Sequence, residues 1–187
     1  VLIEANDKVI SVVLLIGSGM ALLGILEYII ITNTRIVSTF TNPNPFGTYL
    51  LILFLFSWGL TLRKNNIIMY FISLVFLVAL LLSGSRGAFF STILAFPFIF
   101  IGCNRNNLIA NLLKTIILIL FGILITKFII FIAPLVQNKI GLSSNLVDIL
   151  IRKDSLIGSS LVGRLEFWKV AWELIKNKPI NGYGLGT

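Results

Sequence analysis

The stretch that decides the fold is residues 112–132, which read LLKTIILILFGILITKFIIFI and carry two charged side chains, Lys114 and Lys127. A helix needs about 20 mainly apolar residues to cross the hydrocarbon core of a bilayer, and this run has that length. Of the 187 residues in the chain, 57% are hydrophobic and 12% are charged, whereas soluble domains carry roughly 25% charged residues. This composition excludes an ordinary soluble domain, a disordered chain and a disulfide-rich secreted module.

Four further apolar runs predict helices that cross or nearly cross a membrane. They lie at about residues 9–31, 46–62, 67–82 and 88–102. Pro97 is expected to kink the last of these helices. The predicted fold class is therefore all-α, a polytopic integral membrane protein with about five transmembrane helices in residues 1–134.

Residues 135–187 are more polar than the runs before them. We expect them to form an extracytoplasmic loop with an amphipathic helix over 164–177, which Pro179 would end. The chain begins with Val1 rather than Met and stops just after a glycine-rich run. We interpret it as a fragment that is truncated at both ends.

Basic residues in the short links predict the orientation of the spans. The chain has 15 Lys and Arg against 7 Asp and Glu, a net charge of +8. One side of the membrane would carry Lys8, Arg63, Lys64, Arg105 and Lys114. The other side would carry Arg35, Arg86 and Lys127. Because the loops of membrane proteins are richer in Lys and Arg on the cytoplasmic side, we expect the links with Arg35 and Arg86 to lie outside.

Several kinds of chemistry are excluded by what the sequence lacks. It has no histidine, the commonest general base and metal ligand, and the single cysteine, Cys103, cannot form an intrachain disulfide. The glycine-rich residues 182–186 lack the spacing and the preceding strand of a dinucleotide-binding motif. We therefore expect no metal and no cofactor, and we ascribe the basic charge to membrane topology and anionic substrates rather than to nucleic acid.

The first candidate binding residue is Arg86, in the sequence Ser83-Gly84-Ser85-Arg86-Gly87-Ala88. Ser85 is suited to cap the fourth span, and a helix N-terminus attracts anions through its free N–H groups and its dipole. Gly87 would let a bulky anion approach the backbone closely. A plain hairpin turn with an arginine that extends to water explains the same residues equally well.

The second candidate is Arg35, which precedes the sequence Thr41-Asn42-Pro43-Asn44-Pro45-Phe46-Gly47. We expect Asn44 to cap the second span and Pro45 to take its first helical position, so that another helix N-terminus opens on the face of Arg35. A rigid turn between spans explains the prolines fully. It explains Arg35 less well, since arginine is disfavoured in external links.

The third candidate is Arg164, at the start of the predicted loop helix. The other charged side chains of that helix fall in one stripe, formed by Glu166, Lys169, Glu173 and Lys176. Arg164 instead projects beside Trp168 on the apolar side. Because charges are rarely buried without a partner, we favour a binding role over an arginine that curls back to water. Trp168 would contact lipid or pack in a core.

Glu27 is the only acid inside a predicted span, about one turn from its outer end. The simplest interpretation is an interfacial or ion-paired carboxylate, with one of the arginines as its partner. A proton acceptor is the alternative.

Taken in order, these residues resemble the O-antigen ligase and O-antigen polymerase superfamily of bacterial polytopic membrane glycosyltransferases. The resemblance covers about residue 33 to the end of the chain. The residues that carry it are Arg35 with Asn42-Pro43-Asn44, then Ser83 to Ala88, then Gly163-Arg164 followed by Trp168, Ala171, Pro179 and residues 182–186.

The resemblance implies an enzyme that takes a glycan from an undecaprenyl diphosphate carrier on the outer face of the bacterial cytoplasmic membrane. The pathway would be assembly of O-antigen (lipopolysaccharide), capsule or exopolysaccharide, and the acceptor a glycan, a lipid or, in some relatives, a protein. It also implies that Arg86 and Arg164, with Arg35 as a looser match, hold the diphosphate. Family catalysis is metal-independent and involves a histidine shortly after the glycine-rich run. The chain ends before that point, so this fragment is expected to be inactive alone.

Two other classes of protein stay open. A transporter or flippase of lipid-linked anionic sugars would show paired repeats and charges near mid-membrane, and the sequence shows neither apart from Glu27 and Lys127 near span ends. A purely structural membrane subunit would leave the external arginines without a role. Ligase and polymerase are not separated by these residues.

Overall fold

The computed structural model describes residues 2–31, 35–102, 108–140 and 160–178. Within them all regular secondary structure is helical, which confirms the all-α prediction. Candidate membrane spans of sufficient length and hydropathy are Val9–Ile30, Pro43–Lys64 and Leu108–Asn138, and shorter apolar helices are Ile67–Ser83 and Arg86–Phe100. The chain is a polytopic membrane protein, as its composition predicts.

The chain divides into two compact units, Val1–Val147 and Asp148–Thr187. The helices of the first unit are α1 (Leu2–Ile30), α2 (Pro43–Lys64), α3 (Ile67–Ser83), α4 (Arg86–Gly102) and α5 (Leu108–Ile140). The second unit contains α6 (Ser160–Asn177). Each unit is described by itself.

Two helix bounds differ from the sequence-based expectation. α5 continues past Pro134 to Ile140, so the predicted boundary at residue 134 falls inside a helix. A proline removes one backbone hydrogen bond but does not end a membrane helix whose neighbours support it. α6 begins at Ser160 rather than at Arg164, because the preceding residues continue the helix and Gly163 does not interrupt it.

α3 lies at the centre of the first unit and contacts α1, α2, α4 and α5. Its residues Phe76 to Leu80 are all buried, as expected for a short helix surrounded by other helices. The largest buried side chains of α2 are Phe46, Phe54 and Trp58. Of these, Trp58 packs edge-on against Tyr70 of α3, with ring centroids 5.5 Å apart. The outer helices expose large apolar side chains such as Leu15, Leu94 and Ile109, which suit contact with lipid.

Buried hydroxyl groups link α2 to its neighbours. Ser73 Oγ of α3 donates to Ser57 Oγ at 2.9 Å, and Trp58 Nε1 donates to Thr115 Oγ1 of α5 at 3.2 Å. Gly122 of α5 allows close approach, since a Cβ there would lie 2.6 Å from Leu77 Cδ2. Interhelical hydrogen bonds in membranes contribute about 0.6 kcal/mol each on average. These contacts fix the relative positions of the helices, and therefore of the loops that join them.

The short links lie at two opposite ends of the first unit. At one end Lys114 Nζ donates to Asn65 Oδ1 in the α2–α3 link at 2.7 Å, close to Arg63 and Lys64 in the last turn of α2. At the other end the α1–α2 link meets the α3–α4 loop through Arg35. We call these the Arg63 end and the Arg35 end.

Candidate functional site

The site at the Arg35 end is built on the start of α2. Asn42, with an extended backbone, caps this helix, and its Oδ1 accepts from the Asn44 N–H at 2.9 Å. The expectation that Asn44 is the cap is therefore wrong. The helix starts at Pro43, because the first turn of a helix tolerates prolines whose missing N–H groups need no partner. The side chain of Asn44 is thereby left to bind elsewhere.

Arg35 connects the α1–α2 link to both neighbouring segments. Its Nε donates to the carbonyl oxygen of Ser83 at 2.9 Å, and its Nη2 donates to Asn44 Oδ1 at 2.9 Å. Ser83 is the last residue of α3, where free carbonyl groups and the negative end of the helix dipole favour a cation. Arg35 is thus held against the loop that leads to Arg86.

That loop is formed by Gly84 and Ser85. Gly84 ends α3 in the left-handed conformation with φ of +59°, and a Cβ on it would lie 3.1 Å from Arg35 Nε. Ser85 is buried, and its carbonyl oxygen accepts from the Phe89 N–H at 3.0 Å, the first backbone bond of α4. The loop therefore has little room on the side of Arg35.

Arg86 is the first residue of α4, and it is exposed. A Cβ added to the neighbouring Gly87 meets no atom within 4 Å, so open space lies beside the arginine. The position of Arg86 joins a fixed positive charge to a helix N-terminus, a combination that attracts anions.

The two guanidinium groups are close enough to affect each other. Partial burial lowers the pKa of Arg35 below its ordinary value, and the charge of Arg86 lowers this pKa further. Both acceptors of Arg35 are neutral, and a guanidinium has more N–H donors than these bonds use. An anion bound between the two arginines would relieve their repulsion.

Glu27 contacts the backbone of the α1–α2 link. Its Oε2 accepts from the backbone N–H of Ser38 at 2.7 Å and from that of Val37 at 3.2 Å. The partners of the carboxylate are therefore amides of the link, whereas the sequence leaves open an interfacial or ion-paired carboxylate and a proton acceptor. No sequence signal identifies such a contact, because every residue other than proline has a backbone N–H group.

The third predicted residue, Arg164, lies in the second turn of α6 rather than at its start. Its side chain lies outside the described residues, as do Pro179 and the glycine-rich run. Trp168 is 73% exposed, and Lys176 Nζ lies 5.8 Å from the ring centroid of Trp172. The structure thus brings together Arg35, Asn44, Ser85 and Arg86, while Arg164 and Trp168 belong to the second unit.

Among the residues that the structure describes, no group of three or more His, Cys, Asp or Glu could hold a metal ion. The side chains described above at the Arg35 end are those of arginine, asparagine and serine.

A model of the O-antigen ligase family matches residues 71–187, which is more than half of the chain. The chain belongs to the O-antigen ligase family. No curated protein and no solved structure matches it. The region that the O-antigen ligase model matches includes Arg86 and Arg164, whereas Glu27, Arg35 and Asn44 precede it. The hydrogen bond from Arg35 to Ser83 therefore joins a residue before the matched region to one inside it.

Membership of the O-antigen ligase family implies a membrane enzyme of the glycosyltransferase type that ligates or polymerises lipid-linked glycans.

Proposed function

We propose that the full protein transfers a glycan from an undecaprenyl diphosphate carrier on the outer face of the bacterial cytoplasmic membrane. In this proposal Arg35 and Arg86 bind the diphosphate of the carrier, and the N–H groups at the start of α4 contribute. The observation that carries the proposal is the hydrogen bond of 2.9 Å from Arg35 Nε to the carbonyl oxygen of Ser83, which holds Arg35 against the loop that leads to Arg86.

The chemistry of the reaction explains why such a site is useful. Breaking the bond between sugar and diphosphate develops negative charge on the leaving group. Fixed positive charges and oriented N–H groups stabilise that charge most strongly in a site with little water. Arginine suits a phosphate better than lysine does, because its planar group donates two parallel hydrogen bonds.

The side of the membrane follows from the charges at the two ends. Arg63, Lys64 and Lys114 lie at the Arg63 end, and the sequence predicts Lys8 and Arg105 on the same side, which makes five basic residues against the three predicted on the other. By the positive-inside tendency this end faces the cytoplasm. The Arg35 end then faces outward, where the carrier-linked glycan and its glycan or lipid acceptor would meet.

Arg164 is the proposed third ligand of the diphosphate, and it rests on the motif Gly163-Arg164 with Trp168 in the region matched to the family. In this proposal catalysis needs neither a metal nor a cofactor.

The test uses the full-length protein in its native membrane. Arg86→Ala and Arg35→Ala should each lower glycan product by about a hundredfold or more, the scale seen when one preorganised donor is removed. Arg63→Ala, which removes an arginine at the opposite end, is the matched control and should leave product unchanged. Product is measured on glycan gels and protein by immunoblot. Normal product from Arg86→Ala would refute the assignment of the site.

A further inference from the structure

We infer that Glu27 is a positioning residue, whose carboxylate holds the α1–α2 link in the conformation that places Arg35 against Ser83 and Asn44. The effect on glycan transfer rests on the proposed function of Arg35. The effect on the link itself does not depend on that function.

The link is attached to α1 by the carboxylate and by a side chain. Glu27 Oε2 accepts from the N–H groups of Val37 and Ser38. Ser38 Oγ in turn donates to the carbonyl oxygen of Met20 at 3.0 Å. The two residues that make these contacts lie within three positions of Arg35, so the contacts fix the backbone that carries this arginine.

The backbone of Ser38 shows why the carboxylate is needed. Ser38 has φ of +51°, in the left-handed region that residues other than glycine adopt at a cost of roughly 1–3 kcal/mol. A conformation of this kind persists only where its surroundings determine it. The bond of 2.7 Å from the Ser38 N–H to Glu27 supplies part of that support.

A buried side chain provides a third attachment. Ile36, next to Arg35, is completely buried, and a Cβ on Gly24 of α1 would lie 3.1 Å from Ile36 Cδ1. The link is therefore packed as well as hydrogen-bonded against α1. Arg35, next to Ile36 in the link, contacts Ser83 and Asn44.

This arrangement favours a structural role for Glu27 over that of a proton acceptor, the alternative that the sequence leaves open. A carboxylate that accepts two backbone N–H groups acts through the link, not on a reacting proton. Glu27 holds residues 37–38 of the link. The link in turn positions Arg35, which donates to the carbonyl of Ser83 in the loop before Arg86. In this way Glu27 and Arg35, which precede the region matched by the family model, contribute to the position of Arg86, the first arginine inside that region.

The first test measures amide hydrogen exchange of residues 31–45 in the full-length protein in lipid nanodiscs. Glu27→Ala leaves the Val37 and Ser38 amides without their acceptor, so their exchange should accelerate about tenfold or more. Glu27→Gln keeps an oxygen acceptor and should retain most of the protection. Ser18→Ala is the matched control on α1, because the Ser18 hydroxyl bonds within its own helix, and it should change nothing.

Unchanged protection in Glu27→Ala would overturn the inference. If that variant does not accumulate in membranes, Glu27→Asp carries the same test, because its shorter side chain draws the carboxylate away from the amides. Faster exchange in Glu27→Asp supports the inference, and unchanged exchange overturns it.

The second test measures glycan product and binding of undecaprenyl diphosphate. Glu27→Ala should weaken both, Glu27→Gln should restore both, and Glu27→Ala should add no further loss to Arg35→Ala. If Glu27→Gln keeps its exchange protection but loses product like Glu27→Ala, Glu27 is a proton acceptor and the inference fails. If Arg35→Ala keeps normal product while Glu27→Ala still exchanges faster, the proposed function of Arg35 fails and the positioning role stands.

Discussion

Gly47 lies directly against Ser85, so that a Cβ built on the glycine would come within 2.5 Å of Ser85 Cβ and 3.0 Å of Ser83 Oγ. The second turn of α2 thus touches the residue that precedes α4. This contact fixes the distance between the two helix starts that border the Arg35 end. The contact is possible because Gly47 has no Cβ.

Gly47→Ala should therefore disturb the loop before Arg86. Because the atom in contact is a Cβ rather than the end of a flexible side chain, the loop itself must move. We expect a loss of stability of about 1–3 kcal/mol, typical of overpacking, together with reduced glycan product. Thermal unfolding in detergent and glycan gels measure the two effects. Gly59→Ala in the same helix is the control, since a Cβ there meets no atom within 4 Å.

Gly84→Ala should be destabilising for a different reason. Gly84 has φ of +59°, and an L residue in the left-handed conformation costs about 1–2 kcal/mol. The new Cβ would also press on Arg35 Nε, 3.1 Å away. We expect a lower melting temperature and weaker binding of undecaprenyl diphosphate. Gly19→Ala in α1, where a Cβ has open space, should show neither change. A wild-type melting temperature for Gly84→Ala would mean that an L residue at this position is not strained.

The sequence predicts the fold class because long apolar runs need no tertiary information to be recognised. Helix ends are harder. Pro134 lies inside α5, since bundle contacts and lipid keep a helix intact beyond a proline. Asn42 and Asn44 both precede a proline, and only the packing of the link shows which of them caps α2.

In the candidate site, too, the sequence indicates some residues and gives no sign of the contacts between them. Arg35 and Arg86 stand out in the sequence because arginine is scarce in external links. The hydrogen bond from Arg35 to the carbonyl oxygen of Ser83 cannot be recognised in the sequence, since every residue type has a backbone carbonyl. The same holds for Glu27, whose partners are amides. Tertiary contacts with the backbone are therefore what the sequence could not reveal.

The orientation of the bundle can be tested with single cysteines. Cys103 is the only cysteine in these 187 residues. The background for labelling is the full-length protein with Cys103 and any cysteine outside these residues replaced by serine. Thr41 at the Arg35 end and Ile67 at the Arg63 end are both exposed. In intact cells a membrane-impermeant maleimide should label Thr41→Cys, and it should label Ile67→Cys only after permeabilisation. The reverse pattern would place the Arg35 end in the cytoplasm and overturn the proposed face of the reaction.

Asn44→Asp should separate stability from binding at the Arg35 end. Asn44 Oδ1 already accepts from Arg35 at 2.9 Å, so a carboxylate there gains an ion pair, which at an exposed position contributes about 0.2–1 kcal/mol. The same carboxylate repels a diphosphate and competes for the guanidinium. We expect an equal or slightly higher melting temperature with markedly less glycan product.

The matched control is Asn66→Asp, the same substitution at the cap of α3 on the opposite end. Aspartate caps a helix about as well as asparagine does, so this variant should keep both its stability and its product. Glycan gels and thermal unfolding of both variants give the comparison. Normal product from Asn44→Asp, with the protein folded, would mean that no anion binds beside Arg35, because an added negative charge 2.9 Å from its Nη2 cannot leave such a site unaffected.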